Sequence, residues 1–326
     1  MKINGIRTAA IFFICLYMAY GCAGNKKNDG RNPSSGLRAF PQTEIPSMLS
    51  GRDRVDYLID HYWDIYLDTS KIYQSDSTVV NGVRKTDLEK AVGAYVTLLD
   101  VESPLYAEKS VSEMFDKLES FSKSDTSSHM FDIVTGYIQK YLYDPNSPVR
   151  NEDYYLPYVT KLSKSSSVDG SLRKSYAYDA RMCALNRIGT PAADFEFTDL
   201  KGKVRTLYSI KADYTLLFFS NPGCNACKSI TDALESDTRI NDLIKKKKLA
   251  IVNVYIDLER DKWRAFAASY PESWYNGYDN KYIIRTDVLY NVRAIPSLYI
   301  LDKNKNVIMK DAPQEKALSY LDNIAE

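Results

Sequence analysis

The residues of this 326-residue chain best suited to chemistry are the two cysteines of Cys224-Asn225-Ala226-Cys227. Two thiols at this spacing sit about one helical turn apart, so they can act in succession on one disulfide. Before them runs Thr215-Leu216-Leu217-Phe218-Phe219, an apolar stretch of strand length that passes through Ser220-Asn221-Pro222-Gly223 into the pair. After them Ile230, Leu234, Ile240, Leu243 and Ile244 follow at helical spacing, and Ala250-Ile251-Val252-Asn253-Val254-Tyr255-Ile256 reads as a second strand. Strand, cysteine pair, helix and strand make a βαβ unit. It places Cys224 at a helix N-terminus, where free backbone N–H groups and the positive dipole end stabilise a thiolate. Cys224 is therefore the expected nucleophile. Cys227, one turn on and shielded, is expected to attack the mixed disulfide formed at Cys224.

Further along, Ile295-Pro296 leads Ser297-Leu298-Tyr299-Ile300-Leu301, a polar turn at 302–306 and Val307-Ile308-Met309, a hairpin introduced by proline. An X-Pro bond can be cis at modest cost, and a loop at Ile295 and Pro296 facing the pair would offer backbone groups to an incoming peptide. The sequence leaves the isomer open. Asn291 and Arg293 are candidates to line the same groove. A zinc half-site needs a second ligand pair, and from residue 188 onward the chain has no further Cys and no His. The same lack of His argues against a copper site, so neither a metal nor a cofactor is expected.

The elements that carry this unit begin with an export signal. Lys2 and Arg7 precede an apolar run from Ala9 to Tyr20, too short for the roughly 20 residues of a membrane span. Ala19-Tyr20-Gly21-Cys22 resembles a bacterial lipobox, in which Cys22 is acylated and becomes the mature N-terminus. Residues 1–21 are then a lipoprotein signal and 22–50 a flexible tether. Ala23 and Lys26-Lys27 favour outer-membrane attachment facing the periplasm. The whole chain carries 43 basic and 42 acidic side chains, and loss of Lys2 and Arg7 leaves 41 against 42. Without a net positive field, nucleic acid is not an expected partner.

Residues 51–187 read as a helical domain. Val55, Leu58, Ile59, Tyr62, Trp63, Tyr66 and Leu67 form one helical face over 53–67, and Thr86 with Glu89 predicts a capping box opening a second helix. Val111, Met114, Phe115 and Leu118 make a third stripe. Phe131, Val134, Ile138, Tyr141 and Leu142 make a fourth, stopped by Pro145 and Pro148. A last helix, about 171–187, puts Leu172, Tyr176, Ala180 and Cys183 on one side. Cys183 is expected to be an inert buried thiol, His61 a packing or capping residue, and His129 a surface residue. Lys245 to Lys248 read as a solvated helix end, and Trp263 and Trp274 as packing residues.

With these residues in view, 188–326 resembles the TlpA/ResA branch of the thioredoxin superfamily. Gly189-Thr190-Pro191-Ala192-Ala193-Asp194-Phe195 is similar to that branch's opening segment, and the cysteine pair, its helix and Ile295-Pro296 follow in the expected order. His61-Tyr62-Trp63-Asp64 and Tyr141 to Pro148 are similar to a helical domain of unknown function that precedes such modules in Bacteroidota envelope lipoproteins. The resemblance implies an α/β thioredoxin-like fold, a central mixed sheet flanked by helices, C-terminal to an all-α domain. It also implies an envelope thiol-disulfide oxidoreductase acting on protein thiols and disulfides, with a DsbD-like membrane protein as a conceivable electron donor. Three departures matter. Phe218 stands where thioredoxins carry a buried Asp, Gly223 where they carry Trp, and Ile230 where the ResA type carries Glu. Both carboxylate aids to deprotonating Cys227 are thus absent, so water or a substrate group is expected to serve. Asn225-Ala226 carries no charge to stabilise the thiolate strongly, which favours a reductant or isomerase over an oxidant. Two alternatives stay open. A peroxidase of this fold needs Thr or Ser where Asn221 stands, and an adaptor would bind a partner through the helical domain with a redox-inactive fold.

Overall fold

The computed structural model describes residues 36–71, 73–125 and 128–325. The signal over 1–21, the lipidation position Cys22 and the first part of the tether lie outside the described residues. Among the described residues no helix is long and apolar enough to cross a membrane. The chain packs as two compact units, one running to Ser103 with Ser120–Met130, the other made of Pro104–Glu119 with Phe131–Glu326. The segment 131–187, helical by sequence, therefore packs in the same unit as the C-terminal strands.

In the first unit, helix α1 (Gly51–Asp60), the short hairpin β1 (Val79–Val80) and β2 (Val83–Arg84), and helix α2 (Lys85–Leu99) surround an aromatic core. The Phe40 ring lies 5.5 Å from Tyr62, 5.6 Å from Trp63 and 5.1 Å from Tyr66. The helix expected over 53–67 ends at Asp60, and residues 61–67 continue as turns that still bury Tyr62, Trp63, Tyr66 and Leu67. Tighter turns let all three rings converge on Phe40 while two hydroxyls find acceptors, Tyr62 on the Ala91 carbonyl and Tyr66 on that of Val80. The capping box at Thr86 does not form. Strand β2 runs straight into α2, whose first residue, Lys85, donates its N–H to the Thr78 carbonyl of the hairpin. His61 caps α1 and pairs with Asp64 at 2.7 Å, as a capping residue should.

The second unit starts with part of α3 (Pro104–Ser124) and continues with α4 (Met130–Leu142), α5 (Glu152–Leu162) and α6 (Gly170–Cys183). Periodicity missed α5. Its first turn holds two acids, capped by Asn151, whose side chain accepts from Asp153 and Tyr154 N–H, and Pro157 lies inside it. Helix α6 stops at Cys183, short of 187, and Leu172 is exposed on it, not buried.

Seven strands form the sheet of this unit: β3 (Glu196–Asp199), β4 (Val204–Thr206), β5 (Tyr214–Phe219), β6 (Leu249–Tyr255), β7 (Tyr275–Tyr278), β8 (Ser297–Asp302) and β9 (Val307–Met309), in the order β4-β3-β7-β6-β5-β8-β9. Strands β5, β6 and β7 are parallel; β8, β9, β3 and β4 join antiparallel. Alternate residues feed two cores. Leu217, Phe219, Val252, Val254, Tyr299 and Leu301 fill one face, and Leu216, Phe218, Leu249, Ile251, Leu298 and Ile300 fill the other. With both faces covered, these strands are apolar throughout, which is why they stood out as unbroken runs.

Helices α7 (Asn225–Ser236), α8 (Thr238–Lys245), α9 (Arg260–Ala267), α10 (Ile283–Thr286) and α11 (Gln314–Ala325) complete the unit. The single helix expected after the cysteines is two, divided at Asp237, whose carboxylate caps α8 through the Arg239 and Ile240 N–H groups. Lys245 to Lys248 are exposed, and Trp263 and Trp274 are buried, as expected. At one rim of the sheet, residues 189–192 cover β9, with Gly189 N–H bonded to the Val307 carbonyl and Val307 N–H to that of Thr190. The other rim is β4, three residues long, with Lys203 before it and Arg205 at its centre.

Candidate active site

Cys224 is the N-cap of α7, and its Sγ accepts the Cys227 N–H at 3.1 Å. The turn into it bends through Gly223 at φ +79°, a conformation that favours glycine, and the Cys224 N–H closes the turn on the Asn221 carbonyl. Cys224 is half-buried and Cys227 buried; both are free thiols. The sulfur nearer solvent thus faces the end of the helix where backbone N–H groups converge.

Cys227 packs in the core with Phe218, Ile230 and Leu298. Phe218 and Ile230, at the two positions where the resemblance implies a carboxylate aid, are fully enclosed apolar side chains. Burial, with the hydrogen bond to Cys224, pushes the Cys227 thiol up to about 12, while a backbone hydrogen bond from Asn221 pulls it partly back. The polar groups below the site are neutral. The Ser220 hydroxyl donates to Asn253 Oδ1 at 2.5 Å and lies 3.3 Å from the Tyr270 hydroxyl, and Asn253 Nδ2 donates to Asn276. The sequence reading missed Ser220, Asn253 and Tyr270, because an Asn inside an apolar strand gives no periodic signal.

The loop before β8 reaches the same end of the sheet. Ser297 pairs with Phe219, the last residue of β5, and Ile295 packs on the core that holds Cys227 and touches Cys224. The Ile295-Pro296 bond is cis. Ile295 and Cys224 thus pack on one core, the one that holds Cys227. Asn291 and Arg293 are not free to line a groove: both turn inward, Asn291 Nδ2 donating to Glu152 Oε1 at 2.8 Å and Arg293 Nε pairing with that oxygen at 2.9 Å. Cys183 is buried elsewhere, its carbonyl accepting from Lys310 Nζ and its thiol held up by burial and the nearby Glu152 carboxylate. Among the described residues no group of three or more His, Cys, Asp or Glu could hold a metal ion.

A thiol pair at the strand-to-helix junction of a mixed, helix-flanked sheet defines the thioredoxin class. The model of a family described as thioredoxin-like matches residues 212–307, and that of a domain of unknown function, DUF5106, matches residues 21–184. A thioredoxin-like protein from Bacteroides caccae is 33% identical over 88% of this chain and 99% of its own, with a TM-score of 0.77. The C-terminal domain of an uncharacterized protein from Bacteroides fragilis is 44% identical over 42% of this chain and 98% of its own, with a TM-score of 0.40. The thioredoxin domain of a thiol-disulfide oxidoreductase from Bacteroides vulgatus is 22% identical over 43% of this chain and 99% of its own, with a TM-score of 0.38. No curated protein matches. The chain belongs to the thioredoxin-like family, in the form that carries an N-terminal DUF5106 domain.

Proposed function

We propose that this protein is a thiol-disulfide oxidoreductase of the cell envelope, lipid-anchored through Cys22 at the periplasmic face of the outer membrane, that reduces or isomerises protein disulfides. The observation that carries the reading is the disposition of the pair: Cys224 capping α7 with its sulfur on the Cys227 N–H, and Cys227 enclosed one turn below. The Cys224 thiolate attacks one sulfur of a client disulfide, a bond forms from Cys224 to that sulfur, and the client's other sulfur leaves as thiolate. The Cys227 thiolate then attacks Cys224 Sγ, releasing the second client thiolate and leaving a Cys224–Cys227 disulfide. The client gains two electrons and the pair loses two, to be restored by a dithiol donor of the membrane. The loop at Ile295-Pro296 receives the client backbone.

The test is capture. In a Cys227→Ser variant the second step is blocked, so client proteins should accumulate as mixed disulfides on Cys224, visible on a non-reducing gel and lost on adding dithiothreitol. A clean gel would favour an adaptor role for the helical domain instead. The second step also carries a pH signature. Because burial, the largest cause raising the Cys227 thiol, persists when Cys224 is tied up in a mixed disulfide, the Cys227 thiolate fraction rises about tenfold per pH unit through the neutral range. Release of client from a preformed Cys224 mixed disulfide should therefore accelerate about tenfold per unit, from about pH 6 to about pH 8, in stopped-flow measurements. A plateau inside that range would mean that another group takes the Cys227 proton.

A further inference from the structure

The exchange reading leaves unused a buried charged cluster that lies wholly within the second unit. Three carboxylates, Glu152, Asp153 and Asp311, are buried together with Lys310, and Arg150 and Arg293 close the cluster. Lys310 Nζ sits 2.9 Å from Glu152 Oε2 and 3.8 Å from Asp153. Arg150 and Arg293 both approach Asp311 Oδ2, at 3.3 and 3.4 Å. The Arg293 guanidinium also lies over the Tyr143 ring at 4.0 Å, and Tyr143 stacks on Tyr155. Tyr143 belongs to the Tyr141 to Pro148 motif, and Arg150, Glu152 and Asp153 follow it directly. The conspicuous motif of the helical part thus ends on the loop beside the cysteines.

The way the loop is held is specific. A single oxygen, Glu152 Oε1, takes Asn291 Nδ2 and Arg293 Nε, two residues apart. Asp311 takes Arg293 from the other side and accepts the Ser297 hydroxyl at 2.7 Å. Ile295 and Pro296 lie between the second and third of these anchor points. Among the described residues no backbone-to-backbone hydrogen bond involves 292–295, so the side chains set its path. Ions buried this way give up much of their hydration, and well-packed apolar residues would serve stability alone as well or better. Directed contacts on one short loop are what such a cluster adds.

Building on the exchange reading, we infer that Glu152 is a positioning residue for that reaction: by clamping Asn291 and Arg293 it fixes loop 291–297 in the path that receives a client polypeptide. The helical segment at 150–153 then governs the choice of substrate class, protein or peptide disulfides over small ones, without touching the reacting sulfurs. A small disulfide needs only Cys224, whereas a peptide needs the loop as well.

The test compares two substrates on the full-length protein. For Glu152→Gln, the rate constant with a disulfide-linked peptide should fall about tenfold, as expected for slight misplacement of a binding element, while that with hydroxyethyl disulfide stays within about twofold. Equal losses on both substrates, or none on either, would overturn the inference. Asn291→Ala removes the clamp from the loop side and should give the same split, which covers a Glu152→Gln chain that does not fold. A second readout needs no activity: limited tryptic cleavage after Arg293, whose side chain the clamp holds inward, should quicken about tenfold in either variant while cleavage after Lys228 in α7 stays unchanged. A wild-type protein inert towards both disulfides would remove the exchange reading. Unaltered cleavage after Arg293 would remove the clamp, whatever the activity.

Discussion

Replacing Cys224 by serine is expected to slow exchange with a protein disulfide by about a thousandfold or more, since a thiolate and not an alkoxide is the attacking group. The fold should not suffer. Cys224 is the N-cap of α7, and serine is a favoured cap whose oxygen can accept the Cys227 N–H in place of the sulfur. Stability should therefore hold or rise by up to about 1 kcal/mol. The remaining thiol cannot take over: Cys227 is buried in the core that also holds Phe218, Ile230 and Leu298, and burial favours its protonated form. The pair of measurements is a reduction assay and a denaturant titration on the same preparation. Retained activity in Cys224→Ser would reject the assigned nucleophile, because the unfolding curve separates a chemical loss from a structural one.

The second large effect is on stability. Lys310→Met removes the ammonium that faces Glu152 at 2.9 Å, Asp153 at 3.8 Å and the Cys183 carbonyl at 2.6 Å. Breaking a buried pair from one side leaves its partner uncompensated, at a cost of about 3–5 kcal/mol. The pH dependence identifies the cause. Burial raises the Asp153 carboxyl above its ordinary value, and Lys310 is the strongest influence pulling it down. A carboxyl raised in the folded state contributes stability below its unfolded value and loses it as pH rises through the folded one. Without Lys310 the folded value climbs further, so the variant's deficit should shrink as pH falls towards about 4. Urea unfolding of both proteins at neutral and mildly acid pH reads this directly, and adding Asp153→Asn to Lys310→Met should recover part of the loss. An unchanged midpoint, or a deficit that grows on acidification, would contradict the account.

The contrast between these two sites explains what the sequence could reveal. Strand β5, the turn through Gly223, the cysteines and α7 are consecutive, so their roles follow from local rules, strand-length apolar runs and helix-end electrostatics. The proline loop followed from its place before β8. The Glu152 cluster is different in kind. Asn291 and Glu152 are 139 residues apart and Arg150 and Asp311 are 161 apart, and no periodic pattern encodes which loop a helix will meet. Helix α5 itself was hidden, because two acids and a proline read as a loop when nothing shows that the acids are paired. Residues 61–67 erred the other way: turns can keep helical spacing when rings such as Tyr62, Trp63 and Tyr66 must reach one partner. Asn291 and Arg293 were singled out for their position but assigned the wrong direction.

The two rims of the seven-stranded sheet bear on how a large client can be held. One is occupied by the chain's own residues 189–192, and the other offers only the three residues of β4, preceded by Lys203 and carrying Arg205 at its centre. Neither invites an extended guest to join as an eighth strand. On the proposed exchange reading, a disulfide-bearing polypeptide would then be gripped at the end of the sheet, by loops that can let go, and release of each client after two bond exchanges would gain turnover from a grip of that kind.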